Sequence, residues 1–246
     1  MKKKTVLITG ALAGIGKATA LAFAHEGANI VISGRKQELG ESLAKELRIL
    51  GADAAFIQAD VRYEEEVKSL IEGTVKRFGR LDVAVNNAGT EGMPTLFVEE
   101  TVENYHSTFD TNVFGVFLCM KYELKAMIPQ GSGCIINLSS IAGQKGVPGA
   151  AIYCATKHAV EGFTKVAALE AAAANVRVNA VAPGPISTDM FERFTGTEEN
   201  KAAFLEMVPL KRAGLPEEVA QTIVFLASDK ASYITGKVLG IDGGMV

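Results

Sequence analysis

The chain has 246 residues, 48% hydrophobic and 22% charged, with a formal net charge of −3; this is the make-up of an ordinary globule long enough for one generous core. The mildly acidic balance, with no basic stripe, gives no footing for nucleic acid or an anionic lipid surface, and no apolar run of about 18 residues offers a membrane span. Cys119, Cys134 and Cys154 lack paired or metal-like spacing, so neither a disulfide framework nor a metal site is expected, and a reducing, cytoplasmic setting fits.

The basic opening Met1-Lys2-Lys3-Lys4 reads as a solvated lead into a first strand. Short β-branched runs then alternate with longer segments of helical period: strand 5–9 and helix 15–26, strand 29–33 and helix 37–50, strand 54–58 and helix 64–78. Further apolar strands are predicted at 81–85, 134–138, 176–181 and 238–241, giving about seven in all. Such nearly continuous apolar strands belong to a parallel sheet covered on both faces, so the expectation is a single doubly wound, Rossmann-type α/β domain over residues 1–246. Ligands should collect beyond the carboxyl ends of the strands, where the strand order reverses. The loop chemistry densest after the sixth strand, from Pro183 onward, marks a substrate lid around 184–214.

Directly after the first strand comes Thr9-Gly10-Ala11-Leu12-Ala13-Gly14-Ile15-Gly16, running into a helix. Glycines there permit a tight turn and let backbone amides approach a pyrophosphate, while the helix N-terminus favours the anion. The spacing is G-x-x-x-G-x-G without the Lys-Ser or Lys-Thr ending of a triphosphate loop, which favours a dinucleotide. Tyr153 and Lys157, four apart in an alanine-rich helical segment, share one helix face. An ammonium beside a phenol is expected to lower the phenol's pKa toward the range useful for acid-base catalysis.

The whole chain resembles the short-chain dehydrogenase/reductase family, whose motifs recur here in order. The resemblance implies a carbonyl or keto reductase fold with NAD(P)(H), in which Gly10, Leu12, Ala13, Gly14, Ile15 and Gly16 cradle the cofactor. Asp60-Val61 matches the family's adenine-contacting pair, and Asn86-Asn87-Ala88-Gly89 its fourth-strand motif lining the adenosine side and bracing the sheet. Pro183-Gly184-Pro185-Ile186-Ser187-Thr188 matches the segment that holds the carboxamide end. By the same resemblance Ser140, thirteen residues before Tyr153, holds the substrate oxygen, Asn112 holds a proton-relaying water, and Lys157 also grips the nicotinamide ribose. Members that use NAD usually carry an acid at the end of the second strand; Gly34 stands here, followed by Arg35, which leans toward NADP. Against that lean, Ala13 replaces the basic residue that many NADP-using relatives place before the loop's second glycine, so NAD remains open.

The expected activity is therefore hydride transfer between ketones or aldehydes and secondary alcohols, with Tyr153 as general acid/base. Met190, Phe191, Phe194, Phe204 and Met207 form either an apolar lid or core, and no arginine cluster announces an anionic substrate. A polyol or sugar, recognised through Glu91, Gln144 or Asp189, is the substrate variant. A non-catalytic dinucleotide-binding sensor or scaffold is the competing class, and a sugar-nucleotide epimerase is disfavoured because no second substrate domain is present. Small residues over 155–174, read with the resemblance, imply a homotetramer.

Overall fold

The computed structural model describes residues 3–246, so Met1 and Lys2 of the basic opening lie outside it. Seven strands, β1 (Thr5–Thr9), β2 (Asn29–Gly34), β3 (Asp53–Gln58), β4 (Val83–Asn86), β5 (Gly133–Leu138), β6 (Val176–Pro183) and β7 (Val238–Ile241), form one sheet in the order β3-β2-β1-β4-β5-β6-β7. Every neighbouring pair is parallel. The connections are helices: α1 (Gly14–His25), α2 (Gln37–Ile49), α3 (Glu64–Phe78), α4 (Val102–Phe109), α5 (Gly115–Gln130), α6 (Ala151–Ala171), α7 (Asp189–Thr195), α8 (Glu198–Glu206) and α9 (Pro216–Ala227).

Alternation along β1 decides how the core divides. Val6 and Ile8 point into a cluster with α1, α2 and α9, built on Phe23, Leu43, Leu47 and Ile223. Leu7, on the opposite face, joins Leu70, Met120, Ile135 and Val160 from α3, α5, β5 and α6. Each β1 residue is therefore buried whichever way it points, as in a sheet sandwiched between two helical layers. The order reverses between β1 and β4, which opens a groove at their carboxyl ends.

The observed strands agree with the predicted seven to within two residues at either end, and the fourth begins at Val83 rather than at 81. There the Asp82 carboxylate accepts from the Thr5 amide at 2.8 Å and the Gln130 side chain brackets the Leu81 backbone, adding side-chain bonds where the strand begins. A π-helical turn, Asp110–Phe114, joins α4 to α5; it is a one-residue expansion of the helix that periodicity does not register. After β6, Thr188 caps α7 by accepting from the Phe191 amide, and Thr197 caps α8 by accepting from Asn200.

Candidate active site

The glycine loop lies at the mouth of the β1/β4 groove. Gly10 sits at φ +62°, and a Cβ there would come within 2.7 Å of the Ala88 Cα. At Gly16 a Cβ would lie 2.5 Å from both the Gly10 oxygen and the Asn87 amide nitrogen. Asn87 is the strap behind this closeness: its Nδ2 donates to the Thr9 and Gly10 carbonyls at 3.0 and 2.8 Å. Its side chain is thus committed to bracing β4 against the loop, with the adenosine-lining part of the motif left to backbone. Across the groove the Thr188 methyl stands 3.1 Å from where a Gly14 Cβ would be, so the loops after β1 and β6 face each other closely. The bare glycine backbone and the free start of α1, where Ala13 offers no side-chain cap, form a cradle suited to a pyrophosphate.

The segments after β2 and β3 meet at one end of the groove. Leu12 packs on Gly34, with its Cδ1 2.8 Å from a notional Cβ, so an acid at position 34 would have to displace it. Arg35 is exposed, and its carbonyl accepts from Gln58 at 2.8 Å. Asp60 is held by a bidentate contact from Arg62, Nε to Oδ1 at 3.0 Å and Nη2 to Oδ2 at 2.6 Å, which keeps its carboxyl below the usual range. Val61 is buried, packing beneath Gly115.

The reactive constellation comes together as the spacing requires. Lys157 is 6% exposed, its Nζ donates to the Leu138 carbonyl at 2.7 Å, and it lies 5.5 Å from the centre of the Tyr153 ring. Ser140 caps the short turn Ile141–Gly143 and lines the same cavity as Tyr153. Ser139 lines the cavity too, but its hydroxyl is engaged, donating to Glu161 at 2.8 Å. Asn112 lies in the π turn, with its amide spent on Thr90: Oδ1 accepts from the Thr90 nitrogen and Nδ2 donates to the Thr90 oxygen, both at 2.8 Å. Any water it holds must therefore use its backbone carbonyl, which a π turn can leave unpaired.

One expectation is corrected by the geometry. Tyr153 is not acidified: burial pushes its phenol up to about 12, the neighbouring Ser140 hydroxyl works against that, and the Glu91 carboxylate works with it. Burial likewise brings Lys157 down to about 8. In this low-dielectric pocket, desolvation penalises both charged forms more than the pair helps them.

The cavity is walled by Val147, Met190, Phe191, Phe194 and Phe204. The two aromatic pairs around Phe204 are T-shaped, with centroids 5.8 and 6.0 Å apart. Met207, 60% exposed, lies outside this wall, so four of the five apolar candidates line the cavity. Of the three polar groups offered for a polyol, Glu91 alone lines the cavity; Gln144 and Asp189 are exposed. Glu91 is gripped by Arg193 of α7, Nε to Oε1 at 2.6 Å, which ties α7 to the loop after β4. Ile186 bridges to Gly214 through its neighbours' groups, leaving its own amide uncommitted to that bridge.

Residues 10–246 match the family described as enoyl-(acyl carrier protein) reductase. The chain is 46% identical over 245 residues to the 3-oxoacyl-[acyl-carrier-protein] reductase of Synechocystis sp., covering 99% of this chain and 97% of that one. The chain belongs to the short-chain dehydrogenase/reductase family. Its fold superposes on levodione reductase with a TM-score of 0.95 at 36% identity, covering 98% and 96% of the two chains. The match to ElxO with NADP bound has a TM-score of 0.93 at 40% identity, covering 99% and 98%. As a short-chain dehydrogenase/reductase, the protein is an NAD(P)(H)-dependent oxidoreductase that interconverts carbonyl compounds and alcohols.

Two groups in this reductase escape motif reading. The Glu91–Arg193 pair joins residues 102 apart in the chain, so no local pattern announces it. Glu123 of α5 is wholly buried, with Asn86 donating to its Oε2 at 3.0 Å, and burial raises its carboxyl to about 8. Its spacing reads as a solvated helix residue, and only the packing of α5 on β4 and β5 reveals it.

Proposed function

We propose that Tyr153 is the general acid/base of ketone reduction, with Ser140 holding the substrate oxygen and Lys157 and Asn112 completing a proton path. The observation that carries this is the convergence of the Ser140 and Tyr153 hydroxyls on one apolar cavity with a buried lysine behind them. A phenol held at about 12 keeps its proton throughout the neutral range, so Tyr153 is set to donate to a carbonyl oxygen. Lys157, at about 8, exchanges its own proton near neutrality and can replenish the phenol. Ser140 donates to the same oxygen and offsets the charge that develops there. The bound nicotinamide supplies hydride to the carbonyl carbon.

Gly10, Leu12, Ala13, Gly14, Ile15 and Gly16 would hold the pyrophosphate, with the segments at Asp60-Val61 and Asn87-Ala88-Gly89 toward the adenosine. Pro183, Gly184, Ile186 and Thr188 would hold the carboxamide. NADP is the favoured form: Gly34 presents no acid to repel a 2′-phosphate, Arg35 stands exposed beside it, and the similar ElxO carries NADP. Similar proteins named for 3-oxoacyl groups and for levodione both point to a ketone substrate. We read residues 1–246 as one catalytic unit with a lid at 184–214, working as a cytoplasmic homotetramer; among the described residues no helix is long and apolar enough to cross a membrane.

Tyr153→Phe tests the assignment. Purified variant and parent are compared for NADPH oxidation over a ketone panel and for NADPH binding by fluorescence. The expected result is a loss of about 10²–10⁴ in kcat with binding nearly unchanged; a variant that turns over at the parent's rate removes Tyr153 from the chemistry.

A further inference from the structure

Helix α6 carries a third polar residue in line with Tyr153 and Lys157. Glu161 follows Lys157 by four, so the three side chains stack along one face over two turns. Glu161 is 6% exposed, and its Oε1 accepts from the Ser139 hydroxyl at 2.8 Å. Lys157, one turn earlier, holds the Leu138 carbonyl at 2.7 Å, and Tyr153, one turn before that, meets the Ser140 hydroxyl. Successive turns of the helix thus grip three consecutive residues, Leu138, Ser139 and Ser140, where β5 runs out.

Ser139 is pinned on two sides of this junction. Its amide donates to the Val181 carbonyl of β6 at 2.8 Å, while its hydroxyl reaches α6. The short turn that follows, Ile141–Gly143, rests directly on the pair: a Cβ at Gly143 would lie 2.5 Å from the Glu161 Oε1 and 2.6 Å from the Ser139 Oγ. Ser140 caps that same turn, its hydroxyl accepting from the Ala142 amide at 3.1 Å. A leucine at position 161 would fill the space without the cost of burying a carboxylate, but it could not hold the Ser139 hydroxyl.

We propose that Glu161 is a positioning residue of the reaction: through Ser139 it fixes the turn that aims the Ser140 hydroxyl at the substrate oxygen. The inference rests on the assignment of Ser140 to that oxygen and adds the residue behind it. Glu161 does not line the cavity, so it acts on a bound ketone only by way of the serines. A hydroxyl that offsets developing charge works only when held where the charge appears, and a displacement of about 1 Å costs up to about 10²-fold in rate.

The test compares Glu161→Leu, Glu161→Gln, Ser139→Ala and Ser140→Ala with the parent, using NADPH and whichever ketone of the panel the parent reduces fastest. Glu161→Leu is expected to lower kcat about 10- to 10²-fold while KM for NADPH moves less than about twofold. Ser139→Ala deletes the same bond from its other end with the least disturbance of packing, and should show a loss of the same size. Glu161→Gln keeps an acceptor for Ser139 and should recover most of the rate. In a Ser140→Ala background, either Glu161→Leu or Ser139→Ala should cost less than about twofold more, because the hydroxyl they aim is already gone. Losses that multiply in those double variants, full activity in Ser139→Ala, or a Glu161→Gln as poor as Glu161→Leu overturn the proposal and leave the Ser140 assignment standing. A Ser140→Ala protein that runs at the parent's rate would sink that assignment, and this inference with it.

Discussion

The choice of cofactor phosphate comes down to two neighbouring positions. An aspartate at position 34 would accept from ribose hydroxyls and repel a phosphate, but Leu12 fills that space and Gly34 leaves nothing to repel with. Arg35 follows on an exposed turn, close enough to Asp60 to help hold that carboxylate charged. Arg35→Ser should therefore raise KM for NADPH about tenfold, the loss of one charge-assisted contact, while moving KM for NADH less than about twofold. Parallel titrations with the two cofactors give the answer, and equal effects on both would return Arg35 to the solvated surface. At this scale the sequence discloses which side chains meet but not their proton affinities. Tyr153 and Lys157 are legible from a spacing of four, whereas the rise of the phenol to about 12 depends on what buries it. Glu91, which adds to that rise, comes from a different strand's loop.

Elements were legible wherever one period ran without interruption. β1, buried at all five positions, and α3, with acids in its first turn, bases in its last and Gly79 closing it at φ +76°, carry their limits in the local sequence. The π turn before α5 does not, since it depends on Asn112 being drawn to the Thr90 backbone from 22 residues away. α5 also hides a titration. Glu123 lies beneath it with Oε1, and Asn86 with Oδ1, lacking a partner among the described residues. Its folded pKa, about 8, exceeds the ordinary 4.5, so its contribution to stability is complete below about 4.5 and is lost as pH rises through about 8. The melting temperature should accordingly fall by more than about 4 °C between pH 6 and pH 9, a shift worth about 2 kcal/mol in a chain of this size. Glu123→Gln keeps an acceptor for Asn86, cannot ionise, and should flatten that slope in thermal scans across pH. A parent and variant with the same slope would place the titration elsewhere.

For the whole molecule, the deciding feature is what α5 and α6 leave uncovered. Phe114 and Phe117 are 45% and 43% exposed, and their rings lie 6.2 Å apart. Phe117 in turn sits 6.3 Å from Phe163 on α6, where Val166 and Leu169 continue the stripe at 55% and 81% exposure. Single exposed apolar residues are ordinary, but a continuous row across two neighbouring helices marks a surface meant to be covered. α6 also carries Tyr153 and Lys157 at its start, so whatever covers its outer face also steadies the pair proposed to move the proton. Two copies meeting face to face across this stripe bury it on both at once, as a two-fold contact does. Leu169→Glu places a carboxylate in the middle of that row, far along α6 from the cavity. Sedimentation of the parent should show the proposed tetramer, and the variant should run as a smaller species with a lower melting temperature and raised KM from a loosened α6. If the variant sediments as the parent does, the α5/α6 stripe is not the surface that holds the copies together.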